Sequence, residues 1–226
     1  MNELIWLLFA LLNFGMIVVV YKLFGRIGLF GWIAMGTVLA NIQVTKTIDL
    51  FGLEATLGNI MYGTLFLVTD TLNEKYGLKD AKKAIYIGFS ALIGMVIIMQ
   101  VALMFEPASS DFAHDSLATI FDIMPRIALG SIIAYIVSQL LDVHLFQRIK
   151  RIYSSNRTLY VRNIGSTLVS QLVDTAIFVP IAFVGTHEPE VVWSIFITTY
   201  FIKLLVALLD TPFVYLMKHI NPIDQD

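Results

Sequence analysis

Seven apolar stretches, near residues 4–24, 28–46, 57–73, 84–105, 119–147, 160–184 and 191–217, leave this chain little from which to build a water-soluble surface. A helix needs ~20 apolar residues to cross the ~30 Å hydrocarbon core of a bilayer. Within that core every backbone polar group must be satisfied internally, which selects helices. The pattern predicts an all-α, polytopic transmembrane bundle of about seven spans, with six as the competing count. The third stretch is short, and the fifth is long enough to tilt or protrude. Only 14% of the residues are charged, against about 25% in a typical soluble domain. The connections carry breakers, namely Gly25 to Gly28, Gly52 and Gly58, Gly77, Pro107 with Ser109 and Ser110, Ser154 to Asn156, and Gly185 to Pro189. None is long enough for a separate domain, so residues 1–226 form one transmembrane unit. The first stretch lacks a basic lead and a small-residue cleavage site, and reads as a retained span.

Lysine and arginine sort these connections. Lys22 and Arg26 follow the first stretch, Lys75, Lys79, Lys82 and Lys83 the third. Arg148, Lys150, Arg151, Arg157 and Arg162 surround the turn after the fifth, and Lys218 follows the seventh. Twelve of the 15 basic residues thus fall on one side. The alternate connections hold acids: Asp49, Glu54, Glu106, Asp111, Asp115, Glu188 and Glu190. The positive-inside rule then gives an outer N-terminus and an inner C-terminus. Six spans would put basic connections on both sides, so seven is the better count.

Lys46, Arg126 and Lys203 remain, with four acids inside the stretches: Asp70, Asp142, Asp174 and Asp210. A charge near the bilayer centre costs ~2.5–3.5 kcal/mol on insertion scales and usually faces a cavity or a partner. Pairing between helices would explain any one of them, and Lys46 and Arg126 could snorkel to the outer headgroups. Lys203 and Asp210 stand seven residues apart, two turns along one helix, so each needs a partner elsewhere. Neutral polar groups line the same helices. Ser131, Tyr135, Ser138, Gln139 and Asp142 share a face at spacings of three and four, as do Thr167, Ser170, Gln171 and Asp174. Asn41, Gln43, Thr69 and Asn73 add to them, although Ser and Thr often serve only to join transmembrane helices.

Two segments echo each other. Residues 138–146 read S-Q-L-L-D-V-H-L-F and residues 170–178 read S-Q-L-V-D-T-A-I-F. Each follows an arginine (Arg126, Arg162) and a Gly-Ser pair (Gly130-Ser131, Gly165-Ser166). The two helices run in opposite directions, and transporters often hold substrate near the midplane between such repeats. The chemistry suits a planar heterocycle. A carboxylate can accept two N–H bonds from a guanine-like edge, and a carboxamide both donates and accepts. Tyr135, Phe146, Phe178 and Tyr200 could stack on its faces.

The run Asn41 to Lys46 (N-I-Q-V-T-K), the segment Asp70 to Gly77 (D-T-L-N-E-K-Y-G) and the paired Arg…Gly-Ser…Ser-Gln-x-x-Asp helices resemble the queuosine precursor transporter family, also called the vitamin uptake transporter family. The resemblance covers nearly the whole chain. It implies uptake of 7-cyano-7-deazaguanine across a bacterial inner membrane, with 7-aminomethyl-7-deazaguanine as a second candidate, for queuosine modification of tRNA. The expected substrate-binding residues are Asn41, Asp70, Arg126, Gln139, Asp142, Arg162, Gln171, Asp174 and Lys203. Asp142 and Asp174 would take the guanidine-like edge and Gln139 and Gln171 the ring amide, while Arg126, Arg162 and Lys203 would balance the buried acids. Lys46, Glu74 and Asp210 are candidates for coupling or gating.

An alternative is the membrane subunit of an ATP-driven vitamin or nucleobase importer. No P-loop is present, so a partner chain would hydrolyse the ATP. A membrane-embedded enzyme is the third reading. Against it, cysteine is absent, the histidines at 114, 144, 187 and 219 are scattered, and no H-E-x-x-H or nucleophile elbow occurs. No metal, cofactor or nucleic acid is expected. The expected partners are the bilayer and a small deazaguanine; self-association is left open.

Overall fold

The computed structural model describes residues 1–185 and 188–223, so His187 and part of the Gly185–Pro189 connection lie outside the described residues. The side chains of Glu54 and Asn156 lie outside them as well. The chain is helical: α1 (Asn2–Val44), α2 (Gly58–Lys75), α3 (Leu78–Leu103), α4 (His114–Phe121), α5 (Met124–Ile152), α6 (Leu159–Phe183) and α7 (Pro189–His219). Among the described residues, five segments are long and apolar enough to cross a membrane: α1, α3, the run from His114 to Ile152, α6, and α7 from Val192.

A straight α1 of 43 residues would reach roughly 64 Å. It is instead broken at Gly25, where φ 55° and ψ −137° suit only a residue without Cβ. Past the break the chain doubles back. Asn2 Nδ2 donates to Asp49 O at 2.9 Å, and the Phe51 amide donates to Glu3 Oε1 at 3.4 Å. The halves 2–24 and 26–44 therefore stand antiparallel, as the two separate stretches in the sequence anticipate.

The segment after α1 differs from its loop-like sequence. It is a β-hairpin, β1 (Thr47–Leu50) against β2 (Leu53–Thr56), in register Thr47 to Thr56 and Leu50 to Leu53. Phe51 and Gly52 take φ 54° and 77°, the positive pair that a two-residue turn needs to match strand twist. Within the fifth stretch the helix is interrupted: α4 ends at Phe121, and α5 begins at Met124 with Pro125 in its first turn.

Helix α2 is the axis of the bundle. Every residue from Gly58 to Asn73 is buried, enclosed by α1, α3, α5 and α7. That enclosure explains its polar composition, because no face of it has to be apolar. A Cβ on Gly63 would fall 2.0 Å from Val206 Cγ1, so glycine here sets how closely α2 and α7 approach. The outside is reversed relative to a soluble protein. Ile97, Ile98, Leu129, Leu172, Phe201 and Leu208 are exposed, whereas Asp70, Gln139, Asp142, Arg162 and Asp210 are at most 1% exposed.

Contacts gather the connections at two ends. At one end Arg26 reaches Asp80 (3.2 Å), the Ile223 amide donates to Lys22 O (2.9 Å), and Lys150 Nζ donates to Glu74 O (2.8 Å). At the other, Asn2 meets Asp49, Arg126 meets the end of α6, and Gln100 Nε2 donates to Phe121 O (2.7 Å).

Candidate functional site

The interior polar groups fall into three layers. The first lies between α2, α5, α6 and α7, toward the β-hairpin. Asp174 of α6 accepts from Ser138 Oγ of α5 at 2.9 Å through Oδ1 and from Lys203 Nζ of α7 through Oδ2. The Lys203 ammonium also stands 5.6 Å from the Tyr62 ring centroid, a cation–π contact that strengthens where water is excluded. Asn59, Tyr62, Ser131, Asp174, Phe178 and Lys203 line a small cavity with Val44, Thr56 and Ala134. It has about 10 Å³ of room, which holds one water at most. Around it Asn59 Nδ2, Ser131 Oγ, Tyr135 OH and Asn41 Oδ1 are buried without a hydrogen-bond partner. Buried polar atoms are nearly always paired, so this set of unpaired donors and acceptors beside aromatic rings is the candidate place for a ligand.

The second layer is deeper along α2. Ser170 Oγ donates to Asp142 Oδ1 at 2.8 Å, and Asn163 Nδ2 donates to Asp210 Oδ1 at 3.1 Å and to Thr211 Oγ1 at 3.0 Å. Asp70 faces Asp142, with Asp210 beyond. Gln139 bridges the layers, accepting from Thr69 Oγ1 at 3.2 Å.

The third layer closes one end. Glu74, at the foot of α2, accepts a two-pronged bond from Arg162 of α6 (Nε to Oε2 3.0 Å, Nη2 to Oε1 2.7 Å), pairs with Lys150 of α5 at 3.1 Å, and pairs with Lys218 of α7. Arg162 also donates to the carbonyls of Tyr153 and Ser155 at 2.8 and 3.0 Å. Burial alone would raise the Glu74 carboxyl, but Arg162, Lys218 and Lys150 outweigh it and hold the group below its ordinary value. One carboxylate thus ties α2, α5, α6 and α7 together.

Asn41, Asp174 and Lys203 therefore meet in the first layer, and Asp70, Asp142 and Asp210 in the second with Gln139 between. Gln171 is buried on α6, its Oε1 unpaired. Arg162 balances Glu74 rather than the acids deeper in. Arg126 stands apart, exposed at the other end, where it donates to the α6 carbonyls of Ile181 (3.4 Å) and Val184 (3.1 Å). Lys46 is exposed beside Asn2 and Trp6. Three residues not singled out in the sequence join the site: Asn59, Tyr62 and Asn163. The first two stand three apart, on one face of α2, and that spacing was the available signal. Asn163 beside Arg162 gave none.

An apolar exterior around such a layered polar interior defines a multi-pass membrane protein built on an internal polar site. Residues 56–217 match the family model described as "Putative vitamin uptake transporter". The chain is 51% identical over 224 residues to the "Probable queuosine precursor transporter" of Bacillus subtilis (strain 168), covering 99% of this chain and 98% of the relative. It is 27% identical to the "Queuosine precursor transporter" of Escherichia coli (strain K12) over 75% of each chain. A 33% match to the "Probable queuosine precursor transporter" of Haemophilus influenzae covers 62% of this chain and 56% of that one. The chain belongs to the vitamin uptake transporter family, among the queuosine precursor transporters. No solved structure matches it.

Proposed function

We propose that the chain imports a queuosine precursor, 7-cyano-7-deazaguanine or its 7-aminomethyl analogue, across a bacterial inner membrane. The observation that carries this reading is the first layer: unpaired donors and acceptors on Asn41, Asn59, Ser131 and Tyr135 beside Asp174, Lys203 and the rings of Tyr62 and Phe178. A deazaguanine presents a planar face to stack, an amidine-like edge of N–H donors for a carboxylate, and a ring carbonyl for an ammonium or carboxamide donor. The names of the relatives point to the same solute class.

In this reading the chain crosses the membrane seven times, the two halves of α1 counting separately, with the N-terminus outside and the twelve-cation end inside. The Glu74 cluster then seals the inner end, and the cavity is closed around its own side chains. Substrate enters from the β-hairpin side, displaces the Lys203 and Asp174 contacts in part, and leaves after α5, α6 and α7 separate at Glu74. Binding residues on both repeat helices give the movement a hinge at the α5–α6 contact. The test is complementation. Cells unable to synthesise 7-cyano-7-deazaguanine are supplied with it, and queuosine is measured in their tRNA with and without this gene. Queuosine only with the gene is expected. Its absence, with the protein present in the membrane, overturns the substrate assignment.

A further inference from the structure

The two copies of the repeat bond to each other reciprocally. Ser138 of α5 donates to Oδ1 of Asp174 on α6, and Ser170 of α6 donates to Oδ1 of Asp142 on α5. The pairing is reciprocal across the antiparallel helices, which leaves Oδ2 of each aspartate for a further partner. Asp174 Oδ2 receives the Lys203 ammonium. Asp142 Oδ2 receives no cation and makes no hydrogen bond of ordinary geometry, and it is fully buried. Instead of a lysine it meets Asp70, both of whose oxygens are also buried and unpaired.

The surroundings of that point hold hydroxyls, carboxamides and further carboxylates, with no cation facing Asp142. Asp210 Oδ2, Asn163 Oδ1 and Thr167 Oγ1 are buried without partners, and the Thr167 hydroxyl is directed at Asp142. The Lys203 ammonium of the first layer has no counterpart here. The charged groups facing Asp70 are Asp142 from α5, Asp210 from α7 and Glu74 on its own helix, and Glu74 is already matched by three cations. Helices α1 and α3 carry charges only near their ends and at the Gly25 turn, and the charged residue of α6 nearest this point after Asp174, Arg162, is bound to Glu74. Buried carboxylates without a counter-charge are among the most costly arrangements a protein can hold. Among the described residues no group of three His, Cys, Asp or Glu is placed as a multidentate metal site, and the facing carboxylates of Asp70 and Asp142 call for a positive complement.

We infer that Asp70 and Asp142 bind one monovalent cation, a proton or Na⁺, in the role that the Lys203 ammonium plays for Asp174. In the transport cycle, this cation is the coupling ion; that last step rests on the proposed import function, whereas the binding site does not.

The test uses purified full-length protein and melting temperature, without any transported solute. One arm exchanges choline for Na⁺ at constant ionic strength and pH; the other varies pH at constant Na⁺. A Na⁺ site raises the wild-type midpoint by about 5 °C or more at a hundredfold excess over the dissociation constant. A proton site makes the midpoint fall as pH rises, because the bound proton is lost from the native state. Asp142→Asn and Asp70→Asn each place a neutral isostere at the site, and either variant abolishes the response; the second serves if the first fails to fold. A wild-type midpoint indifferent to both ions, or a response that persists in both variants, overturns the inference. A response lost in the variants of a protein that gives no queuosine supports the cation site and strikes only the substrate reading.

Discussion

Lys203 and Asp174 provide the sharpest test of whether buried charges here bind substrate or merely hold helices together. Both are almost wholly enclosed, at 4% and 7% side-chain exposure. Lys203→Met keeps the length of the side chain but leaves the Asp174 carboxylate with only Ser138 as a donor. Breaking a buried pair from one side costs ~3–5 kcal/mol, while replacing both partners by neutral groups is often neutral or stabilising. For a chain of this length ~1 kcal/mol shifts the midpoint by roughly 2–4 °C, so Lys203→Met should melt at least about 6 °C lower. The double variant Lys203→Met/Asp174→Asn should recover most of that loss, because no uncompensated charge remains. Melting of the detergent-purified protein, followed through its three tryptophans, measures all of them. A single variant as stable as wild type, or a double variant no more stable than the single, refutes the pairing argument. Uptake then separates the roles. If the pair contacts substrate, the stable double variant transports poorly; if it transports normally, the pair is structural and the deazaguanine lies elsewhere.

Glu74→Gln removes the charge that ties four helices at the sealed end, so the midpoint should drop by about 3 kcal/mol equivalent, and cysteines placed near Asn73 should gain reagent access from that side. The same carboxylate gives an acid limb. Its native value lies below the ordinary 4.5, so its stabilisation is complete above that pH and fades as the pH falls through the lower native value; Glu74→Gln should flatten this limb in a pH–melting series. Gly63→Ala forces a methyl into Val206 and should cost ~1–3 kcal/mol, with Val206→Ala restoring much of the loss; an unchanged midpoint would deny the close α2–α7 approach. Because the chain contains no cysteine, single cysteines report topology directly. Ser110→Cys should react with an impermeant maleimide in intact cells and Lys79→Cys only after permeabilisation, and the reverse pattern would invert the proposed orientation.

The all-helical fold with its membrane-length apolar helices was legible because membrane insertion reads the same quantity, apolar length. Gly25 was readable as a breaker, but not that the chain folds back there closely enough for Asn2 to reach Asp49. The β-hairpin was hidden because its strands are four residues each, too short for alternation to show. Arg126 and Arg162 looked alike in the sequence, each ahead of a Gly-Ser pair. Their fates diverge because Arg162 sits at the foot of a helix beside Glu74, while Arg126 reaches the free carbonyls at the end of α6.

The repeat itself gives the deeper reason that sequence could locate the polar helices without assigning their roles. Copies of S-Q-x-x-D on antiparallel helices create two equivalent carboxylates, and nothing in either copy distinguishes them. The distinction comes from α2 and α7, which lie outside the repeat: α7 brings Lys203 to one aspartate, and α2 brings Asp70 to the other. One member of the pair is thereby neutralised by a fixed cation within a donor-and-acceptor cavity walled by aromatic rings. The other is left facing a second carboxylate, Asp70, with no fixed cation. A symmetric scaffold completed by unlike neighbours can hold an uncharged heterocycle at one position and a mobile positive charge at the other, through the same two serine–aspartate bonds. Both serine–aspartate bonds cross the same α5–α6 contact, so a rotation of α5 against α6 that loosens one would be expected to strain its twin.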